Sequence, residues 1–207
     1  RLLCSNQSLP TISKERNLCN LHVSWLSRIK LRSSTAIRTP RQSRIQNTGL
    51  LERRCRLKGI YTIVMRLKRK VRCKVGSLGS VRFARGAYIY TGSARGKGSV
   101  SIHGRIERHL GRRSRSFWHI DYLLAANGCN IQAFIYSETR RDLECEVNRR
   151  IQEMTHAAFP VRGFGSSDCA CLSHLLYLPG YRIDQALTKA KNAYGGLRLK
   201  PRLCRLD

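Results

Sequence analysis

The chain has 207 residues, 42% of them hydrophobic, enough for one modest core with appended segments and not for two large domains. Its 40 Lys+Arg against 12 Asp+Glu leave +28, which points to a polyanionic partner, nucleic acid above all, because each basic group placed on a phosphate releases condensed counterions. Nine scattered cysteines, odd in number, argue against a secreted disulfide scaffold, and no apolar run approaches the roughly 20 residues of a membrane span, so a cytoplasmic protein without a membrane partner is expected.

Residues 1–57 are rich in Ser, Arg, Asn, Gln and Thr, show little periodicity and contain no Met before Met65. They read as a basic extension, disordered or outside natural coding sequence. Patterning sharpens over 58–178. Splitting the chain after 58 and after 178 leaves 20 basic against 8 acidic residues on the middle part, +12, so the charge is not confined to the ends.

"GIYTIVMRL" from Gly59 alternates poorly but is β-branched and apolar, as a buried strand should be. The charged stretch Lys68–Lys74 and "VGSLGSVRF" after it predict a hairpin, and "AYIYTG" predicts a second core strand. "SVSIHGRIERHLG" spaces Ile102, Ile106 and Leu110 four apart before Gly111, the pattern of an amphipathic helix with a glycine cap. "FWHIDYLLAANG" predicts a short helix stopped by Gly128, and "NIQAFIYS" a strand. "TRRDLECEVNRRIQEM" predicts a third helix with Leu143, Val147 and Ile151 on one stripe and Thr139 or Ser137 as its cap. Pro179-Gly180 breaks the pattern, and 179–207 reads as a basic tail in which "YRIDQALTKAKNAYGG" has helical character and the remainder is irregular. The expected fold is a small α/β domain of the α+β kind, a mainly antiparallel three-to-four-stranded sheet with flanking helices.

Gly59-Ile60-Tyr61 on the first strand and Tyr90-Thr91-Gly92 on the second, with Thr in place of Ile, followed by a helix carrying Arg105 and another carrying Glu144, resemble the GIY-YIG endonuclease superfamily. "WHIDYLL" at 118–124, "ECE" at 144–146 and "GFGSSDCACLSHL" at 163–175 resemble an uncharacterised, largely archaeal branch of it, sometimes joined to endonuclease III-like DNA glycosylases. The resemblance covers about 120 residues and implies a metal-dependent DNA endonuclease acting in DNA repair, with DNA as partner and a functional association with a glycosylase. The alternative is a nucleic-acid-binding module that kept this fold and lost turnover.

Phosphodiester hydrolysis needs an activated water, a divalent cation on the phosphate and a cation for developing charge. The resemblance gives Tyr61 the water and Tyr90 the positioning of the phosphate. It turns Arg105 toward the transition state, with His109 one turn later as a second contact, and has Glu144 hold Mg²⁺ or Mn²⁺. Between the two carboxylates of "LECEV" it favours Glu144, which follows Leu143 and precedes Val147 by three, over Glu146, which follows Cys145 and precedes Arg149. The two lie about 200° apart around a helix, so both cannot reach one metal.

Arg95 and Lys97, in the glycine-rich loop Gly92–Gly98, together with Arg108, Arg112 and Arg113, are the expected nucleic-acid contacts. Cys169, Cys171 and His174 offer three soft ligands within six residues, but the C-x-C spacing is tighter than zinc sites use. A fourth ligand would be needed, and Cys145 qualifies only if the third helix lies alongside. A buried thiol cluster beside the active site is the simpler expectation.

Overall fold

The computed structural model describes residues 57–111 and 117–206. The extension before Leu57, and with it the expectation of disorder, lies outside the described residues, as do Arg112 and Arg113.

The strand that opens the domain is also its centre. β1 (Gly59–Leu67) pairs antiparallel with β4 (Gly86–Ala94) on one side and β5 (Cys129–Glu138) on the other. β6 (Leu175–Leu178) extends the sheet beyond β4 and β7 (Arg202–Arg205) extends it beyond β5, giving the order β6-β4-β1-β5-β7 with every neighbour antiparallel. β2 (Val71–Lys74) and β3 (Ser80–Phe83) form the expected hairpin as a separate two-stranded sheet. The α-helices among the described residues are α1 (Ile102–Leu110), α2 (His119–Leu124), α3 (Glu144–Thr155) and α4 (Ile183–Gly195). The fold is α+β.

Thr62 and Arg66 apart, β1 is apolar, because both faces of the sheet are covered. Tyr61, Ile63, Met65 and Leu67 point into a core shared with Ile102 and Ile106 of α1, Ile120 and Leu123 of α2, and Phe83 of the hairpin. Ile60 and Val64 point the other way, onto Val147 and Ile151 of α3 and Ala186, Ala190 and Tyr194 of α4. Burial on both faces leaves no polar phase for a strand to alternate with.

Three expectations change. The main sheet has five strands rather than three or four, because two four-residue strands complete its edges. The domain does not end at 178: α4 buries Ala186, Leu187, Ala190, Ala193 and Tyr194, and the Tyr194 hydroxyl lies 2.9 Å from Thr62 Oγ1 on the central strand. The segment read as a tail supplies much of one core. Neither Thr139 nor Ser137 caps α3, whose first residue follows Leu143 with no side-chain cap. Thr139 Oγ1 accepts the Arg141 N–H within its own turn, and Ser137 donates to the Lys200 carbonyl near β7. By contrast Ser101 caps α1 by accepting the Gly104 N–H.

Candidate active site

Tyr61 and Tyr90 project from β1 and β4 on the face covered by α1 and α2. In the antiparallel register Tyr61 lies opposite Gly92, and a Cβ at 92 would stand 2.6 Å from the Tyr61 hydroxyl and 2.7 Å from Cζ. The glycine of one signature makes room for the ring of the other. A side chain at Gly104 would strike the backbone of Ser99, at 2.6 Å from its Cα, so the first turn of α1 lies directly against the loop after β4.

That placement brings His109 over Tyr61, with Nε2 3.0 Å from the hydroxyl. Both side chains are buried. Behind the imidazole, Nδ1 lies 3.4 Å from Asp121 Oδ1, within ion-pair reach though not aligned as a hydrogen bond. A carboxylate at Nδ1 favours the proton there and leaves Nε2 to accept from the phenol. Asp121 Oδ2 accepts from the backbone N–H groups of Phe117 and Trp118, each at 3.0 Å, and from Arg108 Nη2 at 3.1 Å. A phenol, an imidazole and a carboxylate thus stand in line.

The electrostatics follow from depth. Burial pushes the Tyr61 hydroxyl far above its ordinary range, against the pull of Arg105, and burial likewise raises Tyr90, with Tyr61 and Glu144 adding to the rise and Arg105 opposing it. Burial lowers the His109 pKa, opposed by Asp121 and reinforced by Arg105 and Arg108, so its imidazole is neutral near pH 7. Burial works to raise Asp121, but the His109 ring, the two backbone N–H groups and Arg108 together hold its carboxyl well below the usual range.

Arg105, one turn before His109, lays its guanidinium 3.7 Å from the centroid of the Trp118 ring, and its Nε is buried with no hydrogen-bond partner among the described residues. Glu144 starts α3 and enters from the edge of the sheet, its Oε1 2.8 Å from His174 Nδ1. Glu146 sits elsewhere, bonded to Arg149 at 2.7 and 3.1 Å and to Arg150 at 3.2 Å. Of the expected catalytic residues, Tyr61 and His109 are in direct contact, and the charges of Arg105 and Glu144 both act on Tyr61 and Tyr90.

Of the expected nucleic-acid contacts, Arg95, Lys97 and Arg108 lie among the described residues. Arg95 pairs with Asp142, Lys97 is exposed on its loop, and Arg108 turns inward to Asp121 and lies 4.1 Å over Trp118. Sequence reasoning assigned no role to Asp121, Trp118 or the pairing of Glu144 with His174. For Asp121 the signal was present: an acid in the first turn of a short helix is placed to accept orphaned N–H groups.

A second cluster lies beside Glu144. The ligand atoms of Cys145, Cys169, Cys171 and His174 all lie within 4.8 Å of one another, with His174 Nε2 3.7 Å from Cys145 Sγ and 3.5 Å from Cys169 Sγ. Burial raises the Cys145 thiol, and the neighbouring Cys171 and Cys169 raise it further. No described helix is long and apolar enough to cross a membrane.

No curated protein and no solved structure matches the chain. Residues 60–196, well over half of the chain, match the model of one family, described as "Domain of unknown function DUF123". The match runs from Ile60 in β1 through the whole of α4, taking in all but Gly59 of the two signatures, the line from Tyr61 to Asp121 and the cysteine cluster, and the chain belongs to the DUF123 family.

Proposed function

We propose that the chain is a metal-dependent DNA endonuclease of the GIY-YIG kind, with its phosphodiester-cleaving centre at Tyr61, Tyr90, Arg105, His109 and Glu144. The observation that carries this reading is the line from the Tyr61 hydroxyl through His109 to Asp121. A buried phenol is a poor base while protonated; the neutral imidazole held by a carboxylate accepts its hydrogen bond, and the positive charge of Arg105 and of a bound cation would have to offset the burial of the phenolate before it could take a proton from water. Arg105 places a positive charge close to the same hydroxyl, where negative charge develops.

Glu144 fits a hard divalent cation: Oε1 is engaged by His174, and one carboxylate completed by waters and substrate phosphate oxygens is a usual set for Mg²⁺ or Mn²⁺. Bound there, such an ion would withdraw charge from the phosphate. Tyr90, whose ring lies beside Gly165, supplies a second hydroxyl on the same face for orienting the phosphate.

One observation favours the second reading, a nucleic-acid-binding module without turnover. Tyr61 is only 2% exposed, so its hydroxyl is spent on His109 unless the site opens to water. Nicking of supercoiled plasmid with Mg²⁺ or Mn²⁺ separates the two. The wild type should nick, Glu144→Gln should lose about 10²-fold or more, and Glu146→Gln should lose little. Salt-sensitive retention of DNA without cleavage under any metal would leave only the binding module.

A further inference from the structure

The segment between α3 and β6, residues 156–174, contains no helix or strand. Nineteen irregular residues within a folded domain need something to hold them. Part of the answer is backbone pairing: Gly163 N–H bonds the Leu172 carbonyl, His174 N–H bonds the Phe164 carbonyl, and Asn148 of α3 donates to the Ser173 carbonyl at 2.8 Å. These bonds fold the segment back on itself and set Cys169, Cys171 and His174 against Cys145 at the start of α3.

The geometry points to a structural zinc site formed by Cys145, Cys169, Cys171 and His174, which clamps the loop before β6 onto α3. A tetrahedral ion with Zn–S near 2.3 Å and Zn–N near 2.0 Å holds its ligand atoms about 3.5–3.8 Å apart. The two sulfur-to-imidazole distances, 3.5 and 3.7 Å, fall in that range, and all four atoms converge within 4.8 Å. The donor set is three thiolates and one imidazole, which selects a soft ion over Mg²⁺ or Ca²⁺. Convergence on one point suits a single ion rather than a two-iron cluster, whose ligands divide between two metals. The ring is also already oriented: Glu144 Oε1, 2.8 Å from Nδ1, is placed to accept a hydrogen bond from Nδ1–H with Nε2 facing the thiols, the carboxylate–histidine pairing that accompanies zinc ligands.

The tight C-x-C spacing is accommodated because only two ligands come from that pair; the third comes from the same loop and the fourth from α3. The site does not depend on nuclease activity. It does touch the proposed centre, since Glu144 bonds His174 and its charge acts on Tyr61 and Tyr90. Metal binding would therefore fix the rotamer of the carboxylate as well as the loop.

The test is metal content and spectroscopy on the full chain, produced with zinc in the medium and purified without chelator. Elemental analysis should give about one zinc per chain, and replacement by Co²⁺ should give thiolate-to-metal charge transfer in the near ultraviolet with intense tetrahedral bands in the red. Cys169→Ser with Cys171→Ser should remove both signals while Cys73→Ser, in the β2–β3 hairpin, keeps them; Glu144→Gln should weaken zinc affinity about 10–100-fold. The Co²⁺ spectrum reads the wild type and does not rest on a variant folding. Zinc well below one per chain, octahedral Co²⁺ without thiolate bands, iron in place of zinc, or a Cys169–Cys171 disulfide in the purified protein would each overturn the proposal.

Discussion

At the scale of single residues, Gly92 and His109 carry the account. A methyl group at 92 would meet the Tyr61 ring at 2.6–3.1 Å, and the ring cannot retreat because His109 and the α1 core lie behind it. Gly92→Ala should therefore cost about 1–3 kcal/mol in urea unfolding; a melt indistinguishable from wild type would mean that Tyr61 has another place to go. His109 makes the chain sensitive to acid. Its folded pKa lies below the ordinary 6.5, so the unfolded state takes up the proton first. Its contribution to stability is complete above 6.5 and is lost as pH falls through the lower folded value. Asp121, also depressed, acts with the same sign at lower pH, losing its contribution as pH falls from the ordinary 3.8. The wild type's advantage over His109→Gln should shrink as pH is lowered from 7 toward 5; an advantage that grows would mean that the imidazole is charged in the folded chain.

At the scale of elements, the sequence disclosed what is written in local periodicity and concealed what depends on distant partners. The stripe Ile102, Ile106 and Leu110 and the stripe Leu143, Val147 and Ile151 were legible because each has a polar face to contrast with it. "RLCR" was not, since a four-residue edge strand with three exposed positions has no periodicity to read and exists only because β5 offers it a partner. α4 looked like part of a tail because Pro179-Gly180 is a strong break, yet the break is only a turn, and Ala186, Ala190 and Ala193 are small enough to bring the helix close to the sheet. Removal of 179–207 should therefore abolish cooperative thermal unfolding, since it strips Tyr194 from Thr62 and uncovers Ile60, Val64 and Ile89. A sharp calorimetric transition in the 58–178 fragment would contradict this reading of α4.

At the scale of the whole molecule, a chain of large positive charge carries a candidate site whose residues are mostly buried. Of the candidate centre, Tyr61, Tyr90, Arg105 and Glu144 were legible through ordered motifs, whereas the His109–Asp121 and Glu144–His174 pairings were not, because they join residues 12 and 30 positions apart that only the fold brings together. The +28 points to a polyanion but does not say which arginines meet it: Arg108 spends its charge on Asp121 and Arg95 on Asp142. Binding and chemistry can accordingly be separated. The most direct measurement is single-turnover cleavage of duplex DNA, with Mn²⁺ and protein in excess over the Kd, by wild type and Tyr61→Phe. That change removes one oxygen at the head of the line to His109 and leaves the basic surface untouched. DNA affinity should be equal and cleavage about 10²–10⁴-fold slower in Tyr61→Phe; equal rates for the two proteins would mean that the Tyr61 hydroxyl takes no part in cleavage.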